Sequence, residues 1–129
     1  NEFERPWHLA AWVPNDPEGP TVLINADSPI LEEIIEYHQR EYPDIYAEEV
    51  AKIVCQVFGE VGSCKICHSQ KLAKEVPEEE LNRDYRSEQA LTVALMGLIA
   101  EESLIAQRLG RLGLRRTVPL IRTAGAGNS

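Results

Sequence analysis

Apolar and polar positions along this chain follow two different periods. Over Trp7–Val13 (WHLAAWV) they alternate loosely, which sets Trp7, Leu9, Ala11 and Val13 on one side of an extended segment. Asn15-Asp16-Pro17-Glu18-Gly19-Pro20 is dense in turn formers, and Thr21-Val22-Leu23-Ile24-Asn25 is a β-branched run that reads as a short buried strand. Two strands are the most the chain supplies. A lone hairpin is marginal in water, so this one must lie on helices or complete a sheet in a neighbouring domain.

From Ser28 onward the period is helical. Ser28 suits an N-cap and Pro29 the first helical position, while Glu32 and Glu33 complement the positive end of the helix dipole. Leu31, Ile34, Ile35, His38 and Tyr42 recur at helical spacing; Pro43 ends this helix and Asp44 is placed to cap the next. A long second helix is expected from about Ile45 to Lys74. Its seam runs Val50, Val54, Val57, Val61, Cys64, His68 and Lys71/Leu72, a heptad-like stripe for packing along another helix. Gly59 and Gly62 interrupt it and mark a kink or a close helix–helix approach. Glu75-Val76-Pro77 separates the next segment, and Pro77-Glu78-Glu79-Glu80 is a strong helix start. The third helix is expected around Tyr85–Leu109, with Leu91, Leu95, Leu98, Glu102, Ile105 and Leu109 on its stripe and Ala94, Met96, Ile99 and Ala106 beside it. Gly110 fits its C-terminal cap, with Arg108 and Arg111 at the negative end of the dipole.

These elements predict a mostly α (α+β) fold: a three-helix bundle with a long central helix, preceded by a short β-hairpin or orphan strand. Three stretches are expected. Residues 1–20 form an N-terminal extension with a strand over 7–13 and a turn, residues 21–113 a strand-plus-bundle domain, and residues 114–129 a flexible basic tail.

Composition narrows the class. At 129 residues, 43% of them hydrophobic, the chain is long enough for one core-bearing domain. It has no run of some 18 apolar residues, which excludes a spanning helix and a membrane partner of that kind. The net charge of −8 hides a partition. Five arginines (Arg108, Arg111, Arg115, Arg116, Arg122) and no acid follow residue 107, whereas residues 1–107 carry eight basic and 21 acidic groups, hence −13. A basic tail on an acidic body can dock on that body, on nucleic acid or on an anionic partner; the acidic balance argues against nucleic acid. Residues 1–20 lack the basic and apolar regions of a signal peptide, and three cysteines are too few and odd for a disulfide scaffold. Reduced thiols in the cytoplasm are the expectation. The chain begins at Asn1 rather than Met, which suggests a processed chain or a piece of a longer protein.

One string carries candidate chemistry. Cys64-Lys65-Ile66-Cys67-His68 is C-x-x-C-H, and it resembles the haem-attachment site of c-type cytochromes. That resemblance implies thioethers from Cys64 and Cys67 to haem c and His68 as proximal iron ligand. Against it stands the valine seam, which Cys64 and His68 continue at core spacing. Zinc is the other reading, on Cys64, Cys67 and His68 with Cys55 or His38 as a further ligand. Cys55 lies about two and a half helical turns, roughly 13 Å, from Cys64, so one straight helix makes a poor cage. A di-iron bundle fails because Ile35 and Lys65 stand three residues before His38 and His68. No phosphate loop, G-x-S-x-G elbow or H-E-x-x-H occurs.

Thr21-Val22-Leu23-Ile24-Asn25-Ala26-Asp27-Ser28-Pro29 resembles a strand-to-helix segment, I-N-x-D-H-P, with Ser28 where the pattern has His. The segment belongs to the region after the nucleotide-binding domain in some bacterial proteins with a histidine-kinase-like (Bergerat-type) ATPase domain. The resemblance implies that this chain is a non-catalytic C-terminal part, with ATP chemistry in an upstream domain. Such a part would transmit the nucleotide state or mediate self-association, and no catalytic residue carries over. The expectation is therefore a non-enzymatic helical interaction or dimerisation module without a cofactor of its own. Its partners are another protein, a second copy through helical faces, or the upstream domain. An apolar face beyond what three helices bury would make it a homodimer.

Overall fold

The architecture comes from a computed structural model that describes residues 3–100 and 103–115, the side chains of 98–100 and 103 excepted. Two short strands, β1 (Ala10–Val13) and β2 (Thr21–Ile24), form an antiparallel hairpin in which Ala10 faces Ile24 and Val13 faces Thr21. The connecting turn is closed at Asp16, whose carbonyl accepts the Gly19 N–H at 2.9 Å and whose carboxylate accepts the Glu18 N–H at 2.9 Å. Gly19 has φ 109°, a conformation that side chains disfavour. The strand expected over residues 7–13 is thus shorter, because residues before Ala10 are taken up by contacts to helices. β2 is half-buried rather than fully buried.

The first helix, α1 (Pro29–Glu41), begins at the expected proline and buries Leu31 and His38, with Ile34 and Ile35 half-buried. Ser28 occupies the N-cap position but makes no capping bond; its hydroxyl donates to the Trp7 carbonyl at 2.9 Å and ties the N-terminal segment to the helix start. Asp44 does not cap the next helix either. The chain turns through Tyr42–Ile45, and α2 (Ala47–Lys71) starts after Tyr46, ending in a 3₁₀ turn at Leu72–Lys74.

The long α2 is the axis on which the rest is built. Val50, Ile53, Val54, Val57 and Phe58 are buried along its first half. Beyond Val61 the buried side turns to Gly62, Ile66 and Ser69, so the seam expected through Cys64 and His68 stops: both are exposed. A straight α-helix drifts relative to a strict seven-residue repeat, and the helices that pack on α2 among the described residues are much shorter than it. The close approach at the two glycines is not a helix crossing. They admit the hairpin: a Cβ on Gly62 would lie 3.0 Å from Val22 Cγ1, and one on Gly59 would lie 3.9 Å from Ile24 Cγ1.

The third helical region is segmented. It comprises α3 (Glu78–Leu81), a π-helical turn at Asn82–Arg86, α4 (Glu88–Ala100) and α5 (Ser103–Leu109). Arg86 fastens the π turn to α2, donating from Nε to Ser69 Oγ at 2.8 Å and from Nη1 to Glu78 Oε2 at 2.6 Å. Leu91, Leu95, Ile105 and Leu109 reach the common core as expected. Leu98, Ile99 and Glu102 lie outside the described side chains. After Leu109 the chain crosses the α1–α2 corner, where a Cβ on Gly113 would come within 2.7 Å of Ile45 Cγ1. Among the described residues, two of the C-terminal arginines close on the acidic body. Arg108 forks onto Glu60 at 2.5 and 3.1 Å, and Arg115 reaches Glu41 at 3.1 Å. The tail expected over residues 114–129 lies outside the described residues from 116 on. Among the described residues no helix is long and apolar enough to cross a membrane.

Candidate interaction surface

Ser87 decides where α4 begins. Its backbone is extended (φ −71°, ψ 160°), which ends the π turn, and its hydroxyl accepts the Ala90 N–H at 3.1 Å as an N-cap. Glu88 then supplies an acid in the first turn. The inward side of α4 is fully buried at Leu91, Thr92 and Leu95. From Gln89 to Ala100 no residue carries a charge, so apolar character continues around the outward side. There Val93 is 60% exposed and Met96 41%, next to exposed Gly97. A helix apolar on all sides is normally buried on all sides.

The N-terminal segment clamps the start of this helix. His8 is 3% exposed; its Nδ1 donates to the Glu88 carboxylate at 2.8 Å, and its Nε2 lies 3.3 Å from the Gln89 side-chain oxygen. The Leu9 N–H donates to Thr92 Oγ1 at 2.9 Å, and the Glu4 N–H to Glu88 Oε1 at 2.8 Å. Asn25, 4% exposed, completes the latch by donating to the carbonyls of Pro6 and His8. The partners stand 80 to 84 residues apart in sequence, except those of Asn25, and no local pattern announces them.

Among the described residues, donor atoms of three metal-ligating side chains converge at Glu4, His8 and Glu88, all within 4.8 Å of one another. The Glu88 oxygen there already accepts from the His8 ring and from the Glu4 backbone N–H. The residues singled out from sequence lie elsewhere. Cys64, Cys67 and His68 are exposed on α2. Cys64 lines an open groove with Thr21, Val22, Gln56, Gly59 and Ser63, and the His68 ring lies 6.4 Å from that of Tyr85. Cys55 is half-buried, and burial pushes its thiol above the ordinary value. His38 is buried on α1, its ring 5.1 Å from Tyr37. The structure does not gather these five side chains into one cluster of donors.

Electrostatics at the surface follow the arginine contacts. The Arg108 fork holds the Glu60 carboxyl below the usual range, chiefly through its hydrogen bonds. Arg83 does the same for Asp84. A second depression, about 490 Å³, opens beside the α2 start among Asp44, Ile45, Tyr46, Glu48, Glu49 and Leu112. Comparison with protein-family models, curated proteins and solved structures finds no match to this chain.

Proposed function

We propose that this chain is a protein–protein interaction module whose docking surface is the outer side of α4. The observation that carries the reading is the charge-free span from Gln89 to Ala100 with Val93 and Met96 standing 60% and 41% exposed. Burial of apolar surface drives association, and contiguous apolar surface on a water-facing helix marks where a partner sits. The clamp from His8, Leu9 and Glu4 supports the same reading, because it holds the helix in place without covering that side. A docking helix pre-set in this way loses little conformational freedom on binding.

Met96 is the one methionine of the sequence, which makes a specific test available. Photo-methionine incorporated into the purified 129-residue chain enters at Met96, on this helix face, and the labelled chain is then illuminated in extract of the native cell. Illumination is expected to join Met96 covalently to another polypeptide, either a different protein or a second copy. Adducts absent from Met96, with the same photoreactive group placed at exposed Lys52 behaving identically, overturn the proposal.

A further inference from the structure

We propose that the occupant of the α4 face is a second copy of this chain, with the two α4 helices crossing antiparallel about a twofold axis level with Leu95. The inference rests on the reading of α4 as a docking surface and adds the partner's identity.

Three observations favour a second copy. The first is charge. With −8 overall and −13 over residues 1–107, two copies repel across most of their surfaces. The outer side of α4 is a twelve-residue helical span with no acid, so two copies can meet there without desolvating like charges. A partner chosen by opposite charge would find nothing on this face to read.

The second is Gly97. Glycine weakens a helix interior relative to alanine, and a Cβ at this position would meet nothing within 4 Å. Gly59 and Gly62 each admit a strand; Gly97 admits no neighbour among the described residues. A missing side chain on an exposed helix face is explained by the close approach of another backbone or side chain.

The third is the arrangement of large and small residues. A symmetric pair buries the same patch on both copies, so the patch must complement itself. Val93 and Gly97 lie four residues apart on the same side of α4. In an antiparallel pair centred level with Leu95, Val93 of each copy falls over Gly97 of the other, and the fit occurs twice by symmetry. Met96 flanks the contact on each side.

One helix pair is a small interface, so association should be reversible and concentration-dependent. Sedimentation equilibrium of the full chain from about 1 to about 500 µM is expected to show the mass rising from 14.5 kDa towards twice that value. Gly97→Leu is the decisive variant. Open space and better helix propensity mean that its melting temperature should hold or rise. The added side chain fills the site of Val93, so the dimer should weaken at least about tenfold. Val93→Glu should do the same by placing two acids in the contact.

A monomer throughout the concentration range overturns the proposal, as does a dimer whose dissociation constant Gly97→Leu leaves unchanged. If the chain is monomeric but Met96 crosslinks to a different protein, the second copy is refuted and the docking surface stands. If neither association nor a Met96 crosslink appears, both fall.

Discussion

The bond from the Leu9 N–H to Thr92 Oγ1 joins the first and the last third of the chain, and Thr92→Val tests how much depends on it. Both residues are fully buried, and the bond is 2.9 Å long. Valine has nearly the same shape as threonine and a similar helix propensity, so packing changes little. The hydroxyl is lost, and with it the acceptor for a backbone N–H that has no access to water. Leaving a buried donor unsatisfied costs about 1–3 kcal/mol, against which the extra methyl group returns up to about 0.8 kcal/mol. The expected net loss is about 0.2–3 kcal/mol, or about 1–12 °C at roughly 4 °C per kcal/mol for a domain of this size. Thr92→Ser separates the two terms: it keeps the acceptor and loses about one methyl's worth of burial, about 1 kcal/mol. Urea unfolding gives the free energies, and amide hydrogen exchange at Leu9 gives the local readout. Protection at Leu9 should fall in the valine variant and persist in the serine one. A valine variant as stable as the parent, with Leu9 still protected, would refute the account of the clamp.

Other consequences follow from single contacts. Gly62→Leu must displace Val22, which stands 3.0 Å from a Cβ there; overpacking should cost about 1–3 kcal/mol in a urea melt, and an unchanged midpoint would contradict the close approach. Glu60 is held below its ordinary value of 4.5 by Arg108, so the pair's stabilisation is present above that value and fades as pH falls through the lowered one. A carbon-detected NMR titration should show the low midpoint, and Arg108→Gln should restore the ordinary one; identical midpoints would dismiss the fork. Alkylation near pH 8 followed by peptide mass spectrometry should label exposed Cys64 and Cys67 before half-buried Cys55, whose thiol is raised by burial. Equal rates at all three would contradict the placement.

Local periodicity and stop signals were enough to determine much of this protein. Pro29 and Pro43 bracket α1, the Leu31–His38 stripe faces inward, the Asn15–Pro20 turn joins two strands, and the α2 span is correct to within a turn. These features depend on neighbours within a few residues, which one sequence displays. The candidate site was legible only in part. The uncharged run from Gln89 to Ala100 is visible to the eye, but whether Met96 faces core or water is a question of what packs against α4. The C-x-x-C-H string was equally visible, and its place on the surface of α2 was not.

Tertiary structure decided the rest, because each decision turned on a partner far away in the chain. Ser28 and Asp44 are good caps by residue type, yet Ser28 spends its hydroxyl on the Trp7 carbonyl and α2 begins beyond Asp44. Gly59 and Gly62 signalled a close approach; that a strand rather than a helix makes it required the hairpin to be in place. His8, Asn25, Glu88 and Thr92 carry no local signature at all, since their hydrogen bonds link segments separated by up to 84 residues. Helical period records which residues share a side. Which side is covered, and which is left for a partner, depends on the number and direction of the neighbouring elements, and that is settled only when the chain has folded.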